Sequence, residues 1–313
     1  MSTPNAVTVQ APGSIGNLGP GLDVLGCALT GAADTVTVRL TDLQGITIAD
    51  AGAPELPTDP DRHAAALAAA AVLRHTSARR GLTISCRKGL PLAGGQGGSA
   101  ASAVAGAVAT NQLLGEPLAT RELLGCCLEA EAAVAGRHLD NIAPCLLGGI
   151  ILVRSIEPID VHALPVPAEL RIVLALPHQR LSTTEARAAL PRSVSRETAV
   201  HQLAHVATMV HALHTGDLAL LGAAIVDRIA EPARAPLIRG FTQVKRAAIE
   251  AGALGASISG GGPTVFALCG DDISARRVAA AMQTAFESDG VRCNTRVARI
   301  DQVGARVVPT EYA

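Results

Sequence analysis

The chain has 313 residues, 49% of them hydrophobic, and a formal net charge of −1, so it is long enough for two ordinary domains with substantial apolar cores. Its Lys and Arg are scattered, and with one Tyr, three Phe and no Trp it has neither a basic footprint nor stacking platforms. Nucleic acid and anionic membrane are therefore excluded as expected partners, and small molecules are favoured.

Taken in chain order, residues 7–10 and 34–40 alternate apolar and polar as strands, separated by a Gly/Pro-rich loop from Pro12 to Asp23. Asn17 and Asp23 in that loop read most simply as turn-formers. An Ala-rich helix is predicted over 63–75 and a half-buried strand over 82–87. Pro91-Leu92-Ala93-Gly94-Gly95-Gln96-Gly97-Gly98-Ser99-Ala100-Ala101-Ser102 follows, a loop with four glycines that runs into a helix over 99–114. Glycine permits positive φ and close backbone approach, and a helix start adds unpaired N–H groups and a positive dipole end, so the loop reads as a phosphate cradle. It is not a Walker A loop, since no Lys-Ser or Lys-Thr closes it, and it gives no clean G-x-G-x-x-G after an apolar strand.

Further helices are predicted over 121–135, 196–214, 218–228, 241–251 and 275–289. Strands are predicted over 148–153, 170–176, 255–259, 264–268 and 293–300. Ser182 with Glu185 three residues on marks a helix start, and the Pro-rich stretch 157–167 is the expected boundary between halves. No run reaches the ~18 apolar residues of a membrane span, and Met1-Ser2-Thr3-Pro4-Asn5 lacks the basic and apolar regions of an export leader. Seven cysteines form no C-x-x-C pair and read as reduced core thiols, so a cytoplasmic location is expected. His201 and His205 share a helix face at i,i+4 and read as solvated or capping residues rather than metal ligands.

Several polar residues stand in apolar or Gly-rich surroundings: Asn17, Asp23, Glu131, Asp140, Asn141, Arg187 and Arg234. Each alone has a plain structural reading, as a turn, a helix cap or a solvated charge. Beside a phosphate loop their chemistry is complementary. Glu131 and the Ser99 hydroxyl are hard oxygen donors suited to Mg²⁺; two arginines can fork onto a carboxylate, and aspartates can hold an ammonium. That combination describes a site for a small amino acid beside a nucleotide.

Six ordered motifs then resemble the homoserine kinases, a branch of the galacto-, homoserine, mevalonate and phosphomevalonate kinases. They are PGSIGNLGPGLD from Pro12, the loop from Pro91 to Ala101, HLDNIAP from His138, LSTTEAR from Leu181, DRIAEPAR from Asp227 and GGGPTVF from Gly260. The resemblance spans nearly the whole chain. It implies an α+β fold of two domains: a nucleotide-binding domain (1–165) like ribosomal protein S5 domain 2, with a left-handed βαβ crossover, and a ferredoxin-like domain (166–313). It implies ATP-dependent phosphorylation of L-homoserine to O-phospho-L-homoserine in threonine biosynthesis, by a homodimer. ATP would lie on residues 91–101, with Ser99 and Glu131 on Mg²⁺. Asn17, Asp23, Asp140, Asn141, Arg187 and Arg234 would surround homoserine, with Asp140 and Asn141 nearest the chemistry. Other branches are thought to use an aspartate as base, so Asp140 reads either as that base or as orienting the ammonium, the latter favoured because a loose transition state needs little early deprotonation. Departures are visible. Ala93, Gly94, Gln96 and Gly98 replace the common Gly, first Ser, Leu and second Ser of the family's loop, and His63 stands where the family often has an Asn near adenine. The spacer after Glu131 is one residue short, which leaves Glu129 as the second-choice metal ligand. A sister kinase of another hydroxylated amino acid or alcohol, and a nucleotide-binding regulator without turnover, are the alternatives.

Overall fold

A computed structural model describes residues 5–310; the first four residues, on which most of the leader reading rests, and residues 311–313 lie outside them. The first half builds one mixed sheet. Its strands are β1 (Ala6–Gly16), β2 (Leu25–Thr41), β3 (Ile46–Asp50), β4 (Gly81–Arg87), β5 (Ile150–Ile156) and β6 (Ile159–Leu164); its helices are α1 (Ala64–His75), α2 (Gly98–Leu113), α3 (Thr120–Val134) and α4 (Ile142–Leu147). The 17-residue β2 organises the sheet: β1 pairs along its length, β4 takes its C-terminal part and β5 its N-terminal residues. β3 and β4 are parallel, joined through α1.

The predicted loop 12–23 begins later than expected, because β1 continues to Gly16. The register slips between Pro12 and Gly13, where β2 bulges, and a bulge is a position where proline's missing N–H breaks no ladder bond. The predicted boundary at 157–167 contains β6, an antiparallel partner of β5. Its Ile159-Asp160-Val161-His162 alternation is a strand signal that the flanking prolines obscure.

The second half comprises β7 (Arg171–Pro177), α5 (Thr183–Ala188), α6 (Arg196–Thr215), α7 (Leu218–Ala223), α8 (Ala230–Arg234), α9 (Phe241–Glu250), β8 (Gly255–Ile258), β9 (Val265–Cys269), α10 (Asp272–Ser288) and β10 (Cys293–Ala298). Its sheet order is β10-β7-β9-β8, antiparallel throughout, which is the ferredoxin-like β-α-β-β-α-β arrangement with extra helices after β7. β11 (Arg306–Val308) returns to pair with β1. Helix α7 stops at Ala223 instead of reaching Arg228, since the polar side chains of Asp227 and Gln202 take up the backbone N–H groups of 228–231.

Three apolar clusters hold the fold. One lies between the first sheet and α1–α3, another between the second sheet and α9–α10, and the third joins the two sheets, with Ile15, Leu25 and Leu29 meeting Ile172, Leu174, Met209 and Phe266. Helix α2 is buried on nearly every side, its small residues letting α1 and α3 pack close. All seven cysteines are free and buried. Among the described residues no helix is long and apolar enough to cross a membrane.

Candidate active site

A cavity of about 520 Å³ opens between the two halves, within the size range of small-molecule sites. On one wall lies the glycine loop. Gly97 precedes α2 in the left-handed conformation, and no side chain caps the helix. The first intrahelical bond is from Ala101 N to Gly97 O, so the amides ahead of it at the half-buried helix start are available to a ligand. Of the predicted loop residues, Pro91, Leu92, Ala93, Gly94, Gly95, Gly97, Gly98 and Ser99 line the cavity. Gln96, Ala100 and Ala101 do not; they are buried behind it.

The loop is held from its outer side by the β8–β9 turn. Ser259 Oγ donates to Gly95 O and Thr264 Oγ1 to Gly94 O, both at 2.6 Å. Gln96 extends this brace, donating to Thr264 Oγ1 and accepting from Arg296. A side chain in place of the family's Leu therefore serves as an interdomain tie. With its carbonyls tied back, the loop's curvature depends on Gly95, which has φ +71° and would set a Cβ 2.6 Å from both Gly262 O and Ser259 O. Gly95→Ala is expected to destabilise the protein by more than ~2 kcal/mol, from left-handed strain plus collision with two backbone oxygens. The midpoint of urea unfolding checks this.

Lys88, which sequence reasoning missed, also lines the cavity. Its ammonium pairs with the buried Asp34 and donates to Ser102 Oγ (2.9 Å) and Gly98 O (3.1 Å). It places a cation beside the helix start, and its only sequence signal is a lysine between a strand and a glycine loop.

Ser99 Oγ donates to Glu131 Oε1 at 2.9 Å, while Glu131 Oε2 is buried with no partner among the described residues. Burial raises the Glu131 carboxyl above its ordinary value, and the nearby Asp140 adds to this against the lowering by His138 and Ser99. An orphaned oxygen beside a hydroxyl in a cavity is a donor pair that fits a hard divalent cation. Glu129 instead pairs with Arg74 and His75 at 2.8 Å, outside the cavity.

The opposite wall carries the remaining predicted residues. Asn17 and Asp23 both have positive φ (68° and 59°) and are tied together by Asp23 N donating to Asn17 Oδ1. Buried Asp140 accepts from Asn17 N at 2.9 Å, and His138 Nδ1 lies 3.0 Å from its other oxygen. Burial disfavours the charged His138, yet the adjoining Asp140 carboxylate outweighs it and raises its pKa. Asn141 Oδ1 accepts from Ser14 Oγ. Gly16 must be glycine here, since a Cβ would lie 2.4 Å from Asn141 Nδ2 and 2.5 Å from Asp140 Oδ2.

Two guanidinium groups complete the site. Arg187, in the last turn of α5, forks onto Asp23 (2.7 and 3.0 Å). Arg234, only 4% exposed, donates to Ala186 O and Gly260 O; burial and the nearby Arg187 lower its pKa. Gly260 O also accepts from Asn17 Nδ2, so that carbonyl joins Asn17 to Arg234. His63 lines the cavity with Nε2 on Ala51 O and a buried Nδ1 that has no partner among the described residues; burial lowers its pKa. All the singled-out polar residues thus meet in one cavity. His201 and His205 stack with ring centroids 4.0 Å apart, outside it.

The arrangement offers anion-binding amides, a cation donor pair, and a set of mixed charges suited to a zwitterion. Residues 63–149 match the GHMP kinases N terminal domain and residues 209–288 the GHMP kinases C terminal domain. The chain is 38% identical to the homoserine kinase of Chlorobium phaeobacteroides (strain BS1), covering 96% of this chain and 99% of that protein. It is 40% identical to the homoserine kinase of Arabidopsis thaliana, covering 97% and 85%. The crystal structure of homoserine kinase from Cytophaga hutchinsonii superposes with a TM-score of 0.94 at 39% identity, covering 98% and 99%. Matching in sequence and fold along both halves, the chain belongs to the homoserine kinase family of the GHMP kinases.

Proposed function

We propose that this chain transfers the γ-phosphoryl group of ATP to the side-chain hydroxyl of L-homoserine, giving O-phospho-L-homoserine for threonine synthesis. The observation that carries the reading is the convergence, in one cavity, of an uncapped helix start with the paired groups Arg187–Asp23 and Arg234–Gly260. Phosphoryl transfer asks the protein mainly for positioning and charge stabilisation. The loop amides and Lys88 receive the phosphate chain, and His63, with a free ring nitrogen, faces the base. Arg234 and Arg187 bind the substrate carboxylate, and Asp23 with Asp140 its ammonium. Asn141 stands beside the reacting hydroxyl.

Both oxygens of Asp140 already face Asn17 N and His138, which supports an orienting role over that of a general base. The hydroxyl then attacks the γ-phosphorus in line as the bond to ADP breaks, and its proton passes late to an oxygen of the transferred phosphoryl group, as a loose transition state allows. Ser99 and Glu131 are the residues that would hold Mg²⁺, which supplies neutralising charge to the phosphates when bound. Residues 1–165 form the nucleotide-binding part and 166–313 the ferredoxin-like part of a cytoplasmic homodimer, a location in keeping with seven free thiols.

A coupled assay of ADP release with homoserine, threonine, serine and mevalonate tests this. Homoserine is expected to give the highest kcat/KM. Faster turnover of another acceptor would make the chain a sister kinase, and ATP binding by calorimetry without ADP release on any acceptor would make it a regulator.

A further inference from the structure

Gln202, on α6, is 8% exposed and does not line the cavity, yet its amide touches both segments that do. Its Nε2 donates to Pro20 O and to Asp227 Oδ1, each at 2.8 Å, and its Oε1 accepts from Arg228 N at 3.1 Å. Two acceptors on one side and a backbone donor on the other fix the orientation of the amide. Pro20 lies within the turn from Asn17 to Asp23. Asp227, itself buried, gathers the N–H groups of Ile229, Ala230 and Glu231, which sets the start of α8, and α8 ends in Arg234. One buried amide thereby links the turn that presents Asn17 and Asp23 to the helix that presents Arg234.

We infer that Gln202 is a positioning residue for the acceptor pocket, holding the Asn17–Asp23 turn and the Arg234 helix at the separation an amino acid needs; this rests on the homoserine-kinase reading above. The alternative link is weaker in reach. Asn17 and Arg234 share Gly260 O, and Gly260 N donates to Gly16 O, so this link holds the backbone at Asn17 but meets α8 at the tip of the Arg234 side chain. Asp23 and Arg187 restrain one another, and the neighbouring Ala186 O accepts from Arg234, a link that again meets α8 at the tip of the Arg234 side chain. The phosphate loop is tied to other groups, Ser259, Thr264 and Arg296, so loosening the Gln202 link should disturb the acceptor and spare the nucleotide. A positional error of this kind appears in binding before it appears in folding.

The test uses two variants of the full chain. Gln202→Met keeps length and volume but donates to neither partner, whereas Gln202→Lys retains a donor for both Pro20 O and Asp227. The Met variant is expected to raise the homoserine KM about tenfold or more with the ATP KM within about twofold, and the Lys variant to bring the homoserine KM back to within about threefold of wild type. Amide hydrogen exchange in ATP-free, acceptor-free protein should quicken in 17–23 and 227–234 of the Met variant and stay unchanged in α2. Equal rises in both KM values, a homoserine KM unmoved in the Met variant, or exchange unaltered in both segments would each overturn the inference. Wild-type protein that releases no ADP with homoserine would fail the functional reading instead, and the exchange measurement would still decide the role of Gln202.

Discussion

Glu131→Gln is expected to abolish most turnover while making the ligand-free protein harder to melt at neutral pH. The two effects share a cause. Glu131 is buried, one oxygen holding the Ser99 hydroxyl and the other facing no partner among the described residues, and burial raises its pKa. A carboxyl whose folded value lies above its unfolded one binds its proton more tightly in the native state. It therefore lowers stability progressively as pH rises from the ordinary carboxylate range through the raised folded value, and the deficit is complete above it. Neutral Gln keeps the acceptor for Ser99 and removes the charge. Its new N–H₂ is left unpaired, at a smaller cost than an unpaired carboxylate. Calorimetric melting followed upward from the ordinary carboxylate range should show the variant gaining on wild type as pH rises, until the raised folded value is passed.

In the same variant kcat should fall by roughly a hundredfold or more, since the carboxylate proposed above to hold Mg²⁺ with Ser99 is lost. Full activity would hand the role to Ser99 and the phosphates alone. Transfer of the role to Glu129 would require that side chain to leave Arg74 and His75. A melting temperature that drops at every pH would show that Glu131 is a structural residue and not a charge held in waiting.

The sequence carried the site further than it carried the fold's edges. The glycine loop, Ser99, Glu131 and the Asp140-Asn141 pair were legible as a set, because residues that each have a plain structural reading alone stood together at motif spacing, and the structure gathers them round one cavity. Lys88 and Gln202 were not legible. A lysine at a strand end and a glutamine on a helix are ordinary surface residues by composition, and only the fold buries them against Asp34 and Asp227. The short strands β3 and β11 escaped for a related reason: each has too few residues to show a period, and each exists because a longer strand offers it an edge. Gln96 illustrates the reverse. The residue was visible as a departure within the loop, but its tie to Arg296, 200 positions away in sequence, has no local signature.

Arg234→Ala is expected to raise the homoserine KM tenfold or more, about 1.4 kcal/mol, with the ATP KM nearly unchanged, and to do so more strongly than Arg187→Ala. The two arginines look equivalent in sequence and differ in their partners. Arg187 already forks onto a carboxylate, Asp23, which raises its pKa, so an incoming carboxylate competes with an existing ion pair. Among the described residues Arg234 donates to the neutral oxygens of Ala186 and Gly260, and its charge is disfavoured by burial and by Arg187. A substrate carboxylate relieves that penalty, so more of its binding energy should come from Arg234. Arg234→Lys should recover little, because one ammonium cannot reproduce the fork that reaches Ala186 O through Nε and Gly260 O through Nη1. Steady-state kinetics on the three variants decide the matter. An Arg187→Ala effect larger than that of Arg234→Ala would move the principal carboxylate anchor to α5, and a homoserine KM unaffected by Arg234→Ala would remove that guanidinium from the acceptor site.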